Sequence, residues 1–129
     1  MHDKSKRYRG RRSIATVSLG GTLTEKLEAI AAAGFDGVEI VDGDLLSSDL
    51  RPAEVRRLSE GLGLRIVLFQ PLRDFEGVDD RQFCQNLDEA QRKLDVMVEL
   101  GSDLLLVCSN TSPGALSGVA RAAEQLGVL

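Results

Sequence analysis

The chain has 129 residues, 43% of them hydrophobic and 28% charged, the balance of a globular domain able to bury a core and not of a disordered or fibrous protein. No apolar run approaches the roughly 18 residues that span a bilayer, and the N-terminus lacks the pattern of a secretory leader, so a cytoplasmic protein with no membrane partner is expected. Lys4, Lys6, Arg7, Arg9, Arg11 and Arg12 against Asp3 give residues 1–12 a net charge of +5, leaving −9 for the rest; a basic disordered tail is expected ahead of an acidic body, which argues against nucleic acid as a partner.

Residues 13–129 run four times from a β-rich segment into an amphipathic helical one. The first strand is expected from Ser13 to Leu19, where Ile14, Thr16 and Val17 favour extended backbone. Gly20 and Gly21 turn the chain, Thr22 and Glu25 have capping-box spacing, and Leu23, Leu27 and Ile30 form one buried stripe. Gly34 supplies the helix stop. The second strand, Gly37 to Val41, carries Glu39 at its centre. An acidic loop from Asp42 to Asp49 follows, then a helix opened by Pro52, with Val55, Leu58 and Leu62 facing the core. Gly61 and Gly63 lead into the third strand, Leu64 to Phe69, and a long loop from Gln70 to Asp80.

Phe83, Leu87, Ala90, Leu94 and Met97 mark the longest helix, which Gly101 closes. The fourth strand, Leu104 to Cys108, is apolar throughout, as a strand covered on both faces should be. Leu116, Val119, Ala120 and Ala123 predict a last helix, and Val128 and Leu129 read as the start of a fifth strand. A glycine follows every helix: Gly34, Gly63, Gly101, Gly127. Right-handed crossovers then give adjacent parallel strands in the order 1-2-3-4. The fold class is α/β, with parallel strand–helix units forming about half of a closed eight-unit barrel and an open doubly wound sheet as the alternative.

Cys84 and Cys108 have no metal-type spacing and are expected to be reduced, buried and structural. His2 is the only histidine and sits in the tail, so no Ser-His-Asp or Cys-His mechanism and no multi-histidine zinc site can be assembled. Reactive groups in such folds sit past the C-terminal ends of the strands. Glu39 and Asp42, Gln70 and Arg73, and Ser109 and Asn110 occupy those places, with Ser18 a weaker candidate. Together they suit a small carboxylated, polyhydroxylated substrate: Arg73 would fork onto the carboxylate while Gln70 and Asn110 bond hydroxyls. Structural alternatives stand beside each. Glu39 would pair with a basic neighbour, Arg73 would bridge to Asp74 or Glu76, and Ser109 and Asn110 would be turn residues ahead of Thr111, Ser112 and Pro113. Gly20 and Gly21 match no phosphate-binding motif.

Ser13 to Leu27 (SIATVSLGGTLTEKL), Ala33 to Ile40 (AGFDGVEI), Phe69 to Gly77 (FQPLRDFEG) and Val107 to Asn110 (VCSN) resemble the bacterial 3-dehydroshikimate dehydratases, in the xylose-isomerase-like TIM (β/α)8 barrel superfamily. The resemblance implies dehydration of 3-dehydroshikimate to protocatechuate, in aromatic compound catabolism, with a divalent metal (Mg, Mn or Co). It also implies that Glu39, Gln70, Arg73, Ser109 and Asn110 line the substrate side of the pocket. The family's metal ligands come from strands five to eight. This chain is therefore expected to be an N-terminal portion, inactive alone and binding no metal tightly. Two further alternatives are a fragment of a sugar-phosphate isomerase or epimerase, and a non-catalytic homodimer joined through open sheet edges.

Overall fold

A computed structural model describes residues 10–110 and 118–129. Lys4, Lys6, Arg7 and Arg9 of the basic tail, the turn at residues 111–113 and Leu116 lie outside the described residues. Strands β1 (Ser13–Ala15), β2 (Gly37–Val41), β3 (Arg65–Arg73) and β4 (Leu105–Cys108) form one parallel sheet in the order β1-β2-β3-β4. Between them run α1 (Leu23–Ala32), α2 (Asp42–Leu46), α3 (Pro52–Gly61) and α4 (Asp80–Leu100), and α5 (Val119–Leu126) follows β4.

Three helices pack on one face of the sheet. Leu23, Leu27 and Ile30 of α1, Val55 of α3, and Met97 and Leu100 of α4 share a core with Val38, Ile40, Ile66 and Phe69 of the strands. Each such side chain contributes roughly 1.5–3 kcal/mol on burial. The Thr22 hydroxyl caps α1 by accepting from the Glu25 N–H at 3.2 Å, and Pro52 opens α3. Gly34, Gly63 and Gly101 adopt φ of 84°, 75° and 73°, the left-handed conformation that ends a helix without a Cβ penalty. Gly127 ends α5 in the right-handed region instead.

Several boundaries differ from expectation. The first strand stops at Ala15 and a single 3-10 turn covers Thr16–Ser18. The buried Thr16 turns its hydroxyl to accept the Val41 N–H at 3.1 Å, so a side chain takes over where main-chain pairing ends. The acidic segment begins with a helix, not a loop: Asp42 and Asp44 lie in the first turn of α2, where carboxylates suit the helix dipole, and Leu45 is buried. β3 extends to Arg73, which places Gln70 on a strand. β4 is not covered on both faces, since Leu106 is 41% and Val107 37% exposed at the sheet edge. Val119, Ala120, Ala123 and Leu126 of α5 are also exposed, and Val128 and Leu129 continue in a turn closed by N–H bonds to Gln125 and Leu126. Cys84 is exposed on α4, one position round the helix from the inward Phe83.

Gly37 lies tight against β3: a Cβ there would lie 2.8 Å from Val67 Cγ1 and 3.1 Å from the Arg65 carbonyl. Gly37→Ala is expected to lose about 1–3 kcal/mol in urea unfolding. Gly43→Ala, where nothing lies within 4 Å, is expected to gain up to about 1 kcal/mol by stiffening the unfolded chain.

Candidate functional site

Val38 and Ile40 are buried under the helices, so Glu39 and Val41 take the opposite, open face of β2. In β3 the register slips by one residue against β2: Val38 faces Ile66, but Glu39 faces Leu68 and Val41 faces Gln70. The slip puts Gln70 on the open face, where its Nε2 donates to Glu39 Oε2 at 2.9 Å. Among the described residues no cation pairs with Glu39; the carboxylate is half-buried and held by an amide.

A second slip lies between Phe69 and Leu72 against β4. Leu72 is buried with Phe75 and Ala90 of α4, so the next residue, Arg73, falls on the open face opposite Cys108. Arg73 is exposed, and among the described residues it makes no ion pair. The expected bridge to Asp74 or Glu76 does not form. Glu76 is buried instead, accepting the Asn110 N–H at 2.5 Å on Oε1, while Asn110 Nδ2 donates to the Glu76 carbonyl at 2.8 Å. Asn110 thus braces the loop after β3, and Ser109 beside it is exposed. Glu39, Gln70, Arg73, Ser109 and Asn110 all stand toward the C-terminal ends of β2, β3 and β4. Ser18 is exposed on the 3-10 turn and joins no hydrogen bond with them.

Asp42 belongs to a different cluster. Its Oδ2 accepts from Arg92 Nη2 at 2.7 Å and lies 3.4 Å from Lys93 Nζ, and Oδ1 is buried without a hydrogen bond. Lys93 also donates to the Pro71 carbonyl, linking α4 to the residue after Gln70. Hydrogen bonds that Arg92 donates to Glu89 and then to Asp42 hold its guanidinium above its ordinary pKa, and the bond from Arg92 holds Glu89 below its own. Lys93 was legible in principle, because it stands three residues after Ala90 and four before Met97, a stripe position on α4. Arg92 carries no such signal.

Residues 27–129 match the xylose isomerase-like TIM barrel family. The chain belongs to that family. It is 62% identical over 115 residues to a protein of Pseudomonas aeruginosa named 3-dehydroshikimate dehydratase, covering 89% of this chain and 18% of the relative. A Pseudomonas putida protein of the same name is 62% identical over 105 residues, covering 81% and 16%. A solved xylose isomerase-like TIM barrel/4-hydroxyphenylpyruvate dioxygenase fusion protein superimposes with a TM-score of 0.88 at 56% identity, over 92% of this chain and 19% of that one. The chain thus spans less than a fifth of these relatives. Its four parallel strands are part of the family's barrel.

Barrels of this kind place chemistry at the strands' C-terminal ends, which agrees with the polar rim. A cavity of about 390 Å³ between Arg12, Gly37 and Arg65 opens at the other end of the strands. Among the described residues no three His, Cys, Asp or Glu side chains converge as metal ligands, so these residues alone do not fit a divalent-ion site. No described helix is long and apolar enough to cross a membrane.

Arg92→Gln is expected to lose about 1–3 kcal/mol at pH 7, because buried Asp42 keeps only the longer Lys93 contact. The Glu89 carboxyl sits below its ordinary 4.5, so its share is present above that pH and vanishes as pH falls through the lower folded value. The stability gap between parent and variant in urea unfolding should therefore narrow by that share as pH falls below 4.5.

Proposed function

We propose that this chain supplies the substrate-recognising part of a 3-dehydroshikimate dehydratase barrel, which removes water from 3-dehydroshikimate to give protocatechuate. The reading is supported by the two relatives of that name and by the chemistry of the rim. The observation that carries it is an exposed Arg73 guanidinium that pairs with no carboxylate among the described residues, on the same face and end of the sheet as the Glu39–Gln70 pair. Arg73 takes the substrate carboxylate in a forked, charge-assisted contact. Glu39, oriented by Gln70, accepts a ring hydroxyl. Ser109 and Asn110 close the same edge beyond β4.

A divalent cation (magnesium, manganese or cobalt) belongs to the same proposal for the whole barrel. This chain's share is binding and orientation of the substrate, and by itself it is expected to be inactive. A cytoplasmic location and a place in aromatic compound catabolism go with the reading; the unpaired thiols of Cys84 and Cys108 suit a reducing compartment. The exposed Leu106 and Val107 of β4 favour a second, structural reading in which a second copy of this chain covers that edge. A monomer on size-exclusion chromatography of the 129-residue chain would remove it.

The test uses the protein in which this segment forms part of a complete barrel, assayed for protocatechuate. Arg73→Ala is expected to raise KM about 10–100-fold, the loss of a charge-assisted pair, and Glu39→Gln to lower kcat/KM. Turnover of a sugar phosphate without protocatechuate would instead favour an isomerase or epimerase. An Arg73→Ala enzyme with unchanged KM would remove Arg73 from the site.

A further inference from the structure

The backbone from Asp74 to Val78, directly after Arg73, has an unusual support. Among the described residues no main-chain group bonds to it, and Asp74 and Gly77 adopt φ of 56° and 72°. Side chains from three directions hold it. Asn86 Nδ2 of α4 donates to the Asp74 and Phe75 carbonyls at 3.0 and 3.1 Å. Asn110 Nδ2 donates to the Glu76 carbonyl. The last support comes from α5, the most distant element in the chain.

Helix α5 leaves its apolar side exposed, with Val119 89% accessible, while Gln125 is only 5% exposed. Its carboxamide pairs with the loop as a peptide group would. Oε1 accepts the Gly77 N–H at 2.7 Å and the Val78 N–H at 3.3 Å, and Nε2 donates to the Val78 carbonyl at 2.8 Å. Arg121, one turn earlier, donates to the same carbonyl at 3.3 Å. A helix that docks through a buried amide and not through its apolar residues is specified by that amide, since leaving Gly77 and Val78 unpaired would cost their desolvation.

We propose that Gln125 is a positioning residue for the carboxylate-recognising end of the rim. It fixes the loop on which Arg73 is hinged and from which Glu76 holds Asn110. The inference rests on the substrate role of Arg73 given above, and it adds that recognition at the ends of β3 and β4 is set from α5.

The experiment is a double-mutant cycle in the protein carrying the complete barrel, with hydrogen exchange on the 129-residue chain as a readout independent of activity. Gln125→Met keeps the side chain's length and removes its amide. It is expected to raise KM for the carboxylated substrate about tenfold, the effect of losing an oriented hydrogen bond, with kcat changed less than about threefold. In the Arg73→Ala background the same substitution should leave KM nearly unchanged, because the effect runs through Arg73. In the isolated chain, exchange at the Gly77 and Val78 amides should quicken about tenfold in Gln125→Met. Unchanged exchange at both amides, or equal KM effects of Gln125→Met with and without Arg73, overturns the proposal. If Arg73→Ala itself leaves KM unchanged, the substrate reading fails instead, and the exchange result still reports whether the amide holds the loop.

Discussion

Two one-residue slips in β3 decide which of its side chains meet the open face. A strand of strict alternation that buries Ile66 would also bury Leu68, Gln70 and Leu72, and would turn Phe69 and Arg73 outward. The extra residue opposite Val38 and Glu39 reverses that order, so Phe69 is buried and Gln70 comes out beside Glu39. Between Phe69 and Leu72 the register slips again, returning Leu72 to the core and Arg73 to the open face. Bulges re-aim side chains in this way at the cost of local pairing. Pro71, which has no N–H to give to a neighbouring strand, stands inside the second slip, where that deficit does least harm. The Glu39–Gln70 hydrogen bond exists because of the first slip. Arg73 keeps the open face that strict alternation would also give it, because the second slip cancels the first.

This accounts for what could be read from the residues alone. The α/β order, the N-cap at Thr22, the stripe of Leu23, Leu27 and Ile30, the span of β2 and the glycine stops at Gly34, Gly63 and Gly101 are local signals, and each appears in place; of the capping box at Thr22 only the hydroxyl's half forms, the Glu25 carboxylate accepting from that hydroxyl. The rim residues were found by position, as polar groups past apolar strands. Their mutual geometry was not legible, since a bulge leaves no periodic trace: Gln70 and Arg73 read as loop while the strand in fact passes through both. Asp42 misled for the opposite reason. Its partners Arg92 and Lys93 lie 50 and 51 residues away, and sequence distance hides a buried ion pair. Gln125 stands off the apolar stripe of α5 and gives no signal at all.

Where main-chain pairing stops, side chains supply the missing partners. Thr16 does so for Val41 at the end of β1, Lys93 for the Pro71 carbonyl in β3, and Asn86, Asn110 and Gln125 for the loop beyond it. Buried peptide groups must be satisfied somewhere, and at the C-terminal end of a parallel sheet the ladder no longer does it. Amides suit the task because one side chain offers both donor and acceptor. The same residues then give the rim a fixed shape without adding charge to it. The cations and carboxylates of this end are divided accordingly: Arg92 and Lys93 are balanced by Asp42 and Glu89, while among the described residues Arg73 has no carboxylate partner.

The two edges of the sheet are unlike. β1 is three residues long, is preceded by Arg11 and Arg12, and passes at once into a 3-10 turn, the short and charged form that discourages further pairing. β4 is also short but presents apolar side chains: Leu104, Leu106 and Val107 are exposed on or beside it. Because the loop after β3 is tied to Asn110 and to α5, whatever pairs with the β4 edge also bears on Ser109, Asn110 and the hinge of Arg73. Glu39 and Gln70 sit further in, on strands with neighbours on both sides. The rim therefore has a part set by the sheet itself and a part that depends on the covering of β4. In the proposed function, carboxylate recognition falls in the second part and hydroxyl recognition in the first.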